Sequence, residues 1–364
     1  MFKVLHVLGH IPTGGVGSML LNFHRQVDTN QIQFDYLMSH SAYQSSFIQT
    51  AQNLGATCYL LPSLNAKNVF SYLSQACQFF KKHAHEYAIV HIHAPNLAFG
   101  MGLLAKMYGV KVRVVHSHST YYSNTWLKSL RNILLFAPIR LSNTHFCACS
   151  QKAGNFLFKN TPFYLVHNGV DISRFMFNPN LRKQLRVQLG IADRQVIGCV
   201  SNFLTAKNHS FLLRVFRQLL EQCPKAVLLC AGEGELLSAM QQFSINLKCD
   251  KQVYFLGRRT DVPSLYNAFD CLVMPSLFEG FPVVGVEAQA NGLPCLFSDR
   301  ITPEILLTSQ AQQLPLDEGV WVTALKTALQ TPRIDTARTL EQAGFSIANE
   351  ANKLTNLYRE FLKR

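Results

Sequence analysis

The sequence predicts an α/β protein built from two doubly wound domains, each a parallel sheet covered by helices. Three observations carry this expectation. At 364 residues the chain is longer than a single core usually organises. Short apolar runs alternate with helix-length segments every roughly 25–30 residues, the rhythm of repeated βαβ units. The alternation is broken once, by the charged stretch NPNLRKQLRVQLGIADR (178–194), and then starts again.

Taken in order, the first set of strands is FKVLHVLG, IQFDYLMS, ATCYLLP, AIVHIHA, VRVVHSHS and THFCACS, after which VHNGVD makes a turn. The second set is QVIGCVSNF, AVLLCAGEG, QVYFLGR, DCLVMPS and LPCLFSD. The last segment, NEANKLTNLYREFLKR, spaces Leu354, Leu357, Tyr358, Phe361 and Leu362 as one face of a helix. The expected organisation is an N-terminal domain over 1–172, a linker over 173–190, a C-terminal domain over 191–345, and a final helix over 346–364 that crosses back to the first domain. Ligands are expected at the C-terminal ends of the strands.

Composition narrows the classes. A hydrophobic content of 48% with 15% charged residues describes a well-packed globular chain. No run approaches 18 uninterrupted apolar residues, and MFKVLHVLGHIPTGG lacks the apolar stretch and cleavage site of a secretory signal. The ten cysteines are scattered, without a CxxC, and read as reduced thiols of a cytoplasmic protein. Charge is uneven: residues 1–170 hold 13 Lys and Arg against Asp28, Asp35 and Glu86, a net +10, and the remainder carries +3. A basic front half implies an anionic partner. Nucleic acid is excluded as that partner because the basic residues are dispersed and accompany no binding motif.

The stretch PSLFEGFPVVGVEAQANGLP (275–294) places Glu279 and Glu287 in apolar surroundings. Pro282 fits a first helical turn, so Glu279 belongs to the preceding loop and Glu287 to the helix, roughly 7–8 Å further along the axis. The free N–H groups of that helix start suit a phosphate or sugar hydroxyls. Two carboxylates so placed can hold two ends of a nucleotide-sugar, whereas a glycosidase pair would face each other across one bond at about 5–10 Å. The bland alternative is a cap and an exposed helix glutamate.

FEGFPVVGVE resembles the E-x7-E motif of the family-4 retaining glycosyltransferases, and PTGGVG, RVVHSHS, VHNGVD, LTAKNH and FLGRRTDVPSLYNAFD follow the family's order over the whole chain. The resemblance is nearest the branch that builds bacterial capsular and other surface polysaccharides. It implies the GT-B fold, two Rossmann-like domains facing across a cleft that closes by hinge motion, and a metal-independent reaction without cofactor. It also implies transfer of a hexose from a nucleotide diphosphate, most simply UDP, to a lipid-linked or lipopolysaccharide-type glycan acceptor.

Residue by residue, the resemblance puts Gly14, Gly15 and Gly17 in a loop that approaches donor phosphates and acceptor. It gives His118 the role of the active-site histidine near the reacting sugar, with His116 on the same face as the lesser candidate. Lys207 would neutralise the donor diphosphate. Gly232, Gly234, Gly257 and Arg258 would surround the nucleoside, Glu287 would hold the ribose diol, and Glu279 with the backbone of Gly280 and Phe281 would lie against the donor sugar. Charge stabilisation is the role expected of Glu279. One departure stands out: the family's Gly-Arg is Ser201-Asn202 here, so either another cation substitutes, with Arg258 and Arg259 as candidates, or donor binding is weak, or activity is lost. That departure keeps open a non-catalytic homologue that binds nucleotide-sugar or a partner enzyme. A nucleotide-sugar epimerase of the same fold is the other alternative.

Two further features invite readings. A dinucleotide oxidoreductase would need G-x-G-x-x-G, and Leu20 breaks that pattern. Three H-x-H pairs, His83/His85, His91/His93 and His116/His118, have strand spacing for a metal, but no acidic cluster accompanies them and no metal is expected. Finally, residues 121–141 set Trp126, Leu127, Leu130, Ile133, Leu134 and Ala137 on one helical side, with Lys128 and Arg131 on the other. This pattern suits either a core-facing helix or one resting on an anionic lipid surface, at the inner face of the cell membrane.

Overall fold

A computed structural model describes residues 1–12, 15–40, 46–65, 67–120 and 126–363, apart from the side chains of Leu127 and Lys128. Gly14, and residues 121–125 of the amphipathic segment, lie outside the described residues. The chain forms two compact units, one of Met1–Gly169 with Ile347–Arg364 and one of Val170–Ser346.

Among its described residues the first unit carries seven strands, β1 (Phe2–Val7), β2 (Ile32–Ser39), β3 (Cys58–Leu61), β4 (Ile89–Ile92), β5 (Val112–Ser117), β6 (His145–Ala148) and β7 (Tyr164–Leu165). They run parallel in the order β3-β2-β1-β4-β5-β6-β7. Alternate residues feed opposite faces: Val4 joins a core with Phe23, Phe34 and Tyr358, while Leu5 and Val7 join one with Phe80 and Met101. The final helix, Ile347–Lys363, supplies Leu354, Tyr358 and Phe361 to the first of these cores. Its Glu350, 3% exposed, accepts a 2.7 Å hydrogen bond from the His167 backbone N–H, which ties the helix to the end of the sheet.

The second unit carries β8 (Gln195–Val200), β9 (Ala226–Ala231), β10 (Val253–Phe255), β11 (Cys271–Met274), β12 (Cys295–Ser298) and β13 (Ala311–Leu314), parallel in the order β10-β9-β8-β11-β12-β13. Each sheet reverses its winding at one point, between β1 and β4 in the first unit and between β8 and β11 in the second. A doubly wound fold opens its ligand crevice beyond the strand ends at such a point.

Residues 173–190 are not an open linker. They form helices Ile172–Phe175 and Pro179–Gln188, the latter capped by the Asn178 side chain. Two of their arginines, whose charge reads as linker composition, meet one acid. Asp270 accepts from Arg182 at 2.5 Å, from Arg186 at 3.2 Å and from the Val196 N–H at 2.7 Å, fastening the segment beside β8 and β11. All ten cysteines are free thiols.

Asp270→Ala should therefore weaken the second unit by about 1.5–3 kcal/mol, the range for hydrogen bonds to a charged group. Buried Trp321 reports the loss in urea, because Trp126 is already 74% exposed in the folded chain.

Candidate active site

In the second unit the loops beyond β8, β9 and β10 are laced by their own backbones. Phe203 N–H donates to Glu233 O at 2.9 Å, Ser201 N–H to Ala231 O at 3.0 Å and Gly232 N–H to Gly257 O at 2.8 Å. The approach is so close that only glycine fits at two positions. A Cβ on Gly232 would sit 2.0 Å from Ser201 O and one on Gly234 2.5 Å from Phe203 O, at φ of +151° and +155°. His209 stacks on Phe203 at 4.1 Å and meets the Ser201 hydroxyl at 3.1 Å, which fixes the base of the loop.

That loop carries Lys207 in a short 3-10 turn, Thr205–Lys207. Across the reversal point, the segment beyond β11 is pinned to it by Leu277 N–H to Ala206 O at 2.8 Å and Asn208 Nδ2 to Pro275 O at 3.2 Å. The Lys207 ammonium there pairs with the Glu279 carboxylate, which also accepts from the Ser276 hydroxyl at 2.9 Å. Both side chains are largely withdrawn from water, 21% and 12% exposed.

The helix Val283–Ala290 follows, with Pro282 as its cap residue rather than in its first turn. Glu287 is its fifth residue, half-buried, and accepts a 2.7 Å hydrogen bond from the Tyr266 hydroxyl. Burial raises the Glu287 carboxyl above its ordinary range, and the Tyr266 hydrogen bond and Arg174 oppose the rise. The Phe281 ring is buried and stacks on Phe345 at 5.1 Å, so position 281 offers its backbone rather than its side chain. Of the two substitute cations, Arg259 is held by Asp261 through hydrogen bonds of 2.8 and 2.6 Å, and Arg258, an exposed residue, directly follows Gly257. Asn202 is exposed at the head of the same loop system. Thus Lys207, Glu279, Gly280 and Asn202 cluster at the β8/β11 reversal, flanked by Gly232, Gly234, Gly257 and Glu287. Tyr266 and Ser276 support Glu287 and Glu279, and His209 the base of the Lys207 loop; all three lie within the quoted stretches, but nothing in the residue pattern assigns them these roles.

In the first unit, Gly15 opens the helix Gly15–Gln26 and is exposed, with open space where a Cβ would be. Gly17 has an internal reason to be glycine: a Cβ would lie 2.9 Å from the Pro12 ring. Beside this loop, two of the H-x-H pairs converge with a residue no pattern singled out. His6 on β1 aligns with His91 on β4, and His93, His116 and His118 complete a five-ring cluster. His91 stacks on His116 at 5.2 Å and 9°, and His116 on His118 at 4.1 Å and 24°. His6 Nδ1 meets His93 Nε2 at 2.9 Å, His93 Nδ1 meets His118 Nε2 at 2.8 Å, and His91 Nδ1 meets the Tyr358 hydroxyl at 2.5 Å. Burial pushes His6 and His118 down to about 3 and the other three well below their ordinary value, so all five rings are neutral at pH 7. Two triads, His6–His91–His93 and His93–His116–His118, bring ligating nitrogens within 4.8 Å of one another. His83 stands apart, bonded to Glu86 at 2.6 Å.

Comparison with known proteins agrees over both units. The family model described as Glycosyltransferase Family 4 matches residues 13–174, and that described as Glycosyl transferases group 1 matches residues 182–329. EpsF of Bacillus subtilis (strain 168), whose name states no donor or acceptor, is 33% identical across 98% of this chain and 96% of its own. The UDP-Gal:alpha-D-GlcNAc-diphosphoundecaprenol alpha-1,3-galactosyltransferase of Escherichia coli is 27% identical over 59% of this chain and 58% of its own. Among solved structures, Anabaena Alr3699/HepE in complex with UDP-glucose superposes with a TM-score of 0.76 at 19% identity, covering 100% of this chain and 98% of that one.

The neutral histidines set an acid limit. Each has a folded pKa far below the unfolded 6.5, so the unfolded chain binds more protons in between, and stability falls as pH drops from about 6.5 toward 3. Thermal unfolding of the first unit across that window should show the fall, and His116→Phe, which removes one titrating ring, should make it shallower.

Proposed function

Because this chain belongs to the family-4 glycosyltransferases of the GT-B fold, we propose that it is a retaining transferase that moves a hexose from a UDP-sugar to a lipid-linked or lipopolysaccharide-type glycan in surface polysaccharide synthesis. The observation that carries this reading is the Lys207–Glu279 pair at the β8/β11 reversal, one helix start away from Glu287. As the anomeric C–O bond breaks, negative charge gathers on the departing diphosphate, and a lysine ammonium already out of bulk water stabilises it strongly. Glu279, released from Lys207, faces the positive charge that develops on the sugar. Glu287, steadied by Tyr266, accepts from the ribose diol with its remaining acceptor capacity. To the first unit, with its net positive charge, we assign the acceptor, and to His118 the active-site role that the family resemblance gives it. The retaining outcome rests on the family resemblance. The names of the galactosyltransferase and of the UDP-glucose complex support a UDP donor and a lipid-diphosphate acceptor.

Asn202 favours a second reading, a homologue that binds the donor without transfer. Arg258, exposed beside Gly257, is the cation we assign to the missing charge. We also assign the reaction no metal.

Calorimetry with UDP, with GDP, ADP and NAD as controls, tests the donor site. UDP alone should bind, and Glu287→Ala should weaken it by about 1.5–3 kcal/mol, roughly tenfold to a hundredfold in Kd. Transfer should survive EDTA unchanged; binding without transfer to any acceptor would favour the non-catalytic reading.

Peripheral membrane association is part of the proposal. Among the described residues no helix is long and apolar enough to cross a membrane. The helix Trp126–Phe136 nevertheless exposes Trp126 at 74%, Leu130 at 53% and Leu134 at 70%, with Arg131 exposed beside them and Asn132 turned inward. Its apolar face is therefore outward, which supports the lipid-resting alternative over the core-facing one. Sedimentation with phosphatidylglycerol vesicles should carry the protein down, and a Trp126→Ser, Leu134→Ser double variant should stay in solution with its UDP affinity intact.

A further inference from the structure

The five-histidine cluster contains a line of three rings joined end to end, His6 to His93 to His118. A neutral imidazole has one N–H and one lone pair. Each ring-to-ring hydrogen bond needs one of each, and His93 takes part in both bonds. Only two arrangements satisfy the line: all three rings carry the proton on Nδ1, or all three carry it on Nε2. The tautomer at His6 thus dictates the tautomer at His118, although the two rings do not touch.

The ends of the line differ. His6 is fully buried, edge-on to Phe34 at 4.4 Å and stacked on Tyr36 at 5.6 Å, and its Nε2 has no protein partner. An N–H stranded there would lose its hydration with nothing in return, which is costlier than a stranded lone pair. His118 lies just past β5 at the C-terminal edge of the sheet and is partly exposed; its Nδ1 is buried and unpartnered like the His6 Nε2, but it stands at the sheet edge where a ligand oxygen can meet it rather than among the core rings. The proton therefore belongs at the His118 end.

We propose that His6 and His93 are positioning residues that hold His118 in its Nδ1–H form, so that it presents a hydrogen-bond donor to a ligand oxygen and cannot serve as a base through that nitrogen. The proposal rests on the reading of this sheet edge as part of a glycosyltransferase site, where the ligand oxygen is a sugar hydroxyl or a phosphate oxygen. Both are acceptors, and both fit a donor at this position. His91, bonded to Tyr358, and His116, stacked between His91 and His118, wall the line without joining it.

Side-chain nitrogen NMR of the full chain labelled with 15N-histidine reads the tautomers directly, with His118 assigned from His118→Gln. The wild type should show His6, His93 and His118 protonated on Nδ1. In His93→Phe, which cuts the line, His118 should move to Nε2–H, the ordinary preference of a free imidazole. In His6→Asn, whose side-chain amide can donate from the place of Nδ1, His118 should keep Nδ1–H. An Nε2–H His118 in the wild type, or an Nδ1–H His118 that persists in His93→Phe, would overturn the proposal. If His93→Phe does not fold, the wild-type spectrum alone still decides. No substrate enters these spectra, so their failure is separable from a failure of UDP to bind.

Discussion

The ion pair between Lys207 and Glu279 is the constraint around which the second unit is arranged. The partners are 72 residues apart and come from loops on opposite sides of the β8/β11 reversal. Two charges this far withdrawn from water are stable only when held together and hydrogen-bonded. Ser276 supplies the extra bond to Glu279, and the Ala206–Leu277 and Asn208–Pro275 contacts keep the loops at the required separation. The glycines of the neighbouring loop are a consequence: any side chain at 232 or 234 would push the Lys207 loop away from its place. The two acids in one apolar stretch are thereby explained. Glu279 answers Lys207, and Glu287 answers Tyr266.

Much of this was legible in the sequence. Eleven of the strands are announced by β-branched and aromatic runs, and the parallel order follows from their spacing. The two that are not show why pattern reading stops where it does. β7 is two residues long, and β13, AQQL, has neither alternation nor β-branched residues; it takes its place as an edge beside β12. The segment 173–190 misled for a related reason. Its arginines look solvent-directed in one dimension, and only the fold brings Asp270 within their reach.

The candidate sites divide in the same way. Residues fixed by local motif, such as Lys207, Glu279, Gly232 and Glu287, could be named from the sequence. Their supports could not: Tyr266 reaches Glu287 from 21 residues away, and the local contacts of Ser276 with Glu279 and of His209 with Ser201 depend on loop conformations that residue spacing does not reveal. His6 is the sharpest case. It belongs to no H-x-H pair, yet the alignment of β1 with β4 sets it beside His91 and within hydrogen-bond reach of His93. Gly17 shows the reverse: the motif suggests ligand approach, and the structure adds the Pro12 ring as a sufficient packing reason.

We assign the diphosphate of the nucleotide-sugar to the β8/β11 reversal. An experimental structure with bound UDP-hexose tests it most directly. The account predicts a diphosphate oxygen within hydrogen-bond distance of Lys207 Nζ, the ribose diol on Glu287, and Glu279 turned from the lysine toward the hexose. A nucleotide seated elsewhere on the chain, with the Lys207–Glu279 pair intact, would contradict it.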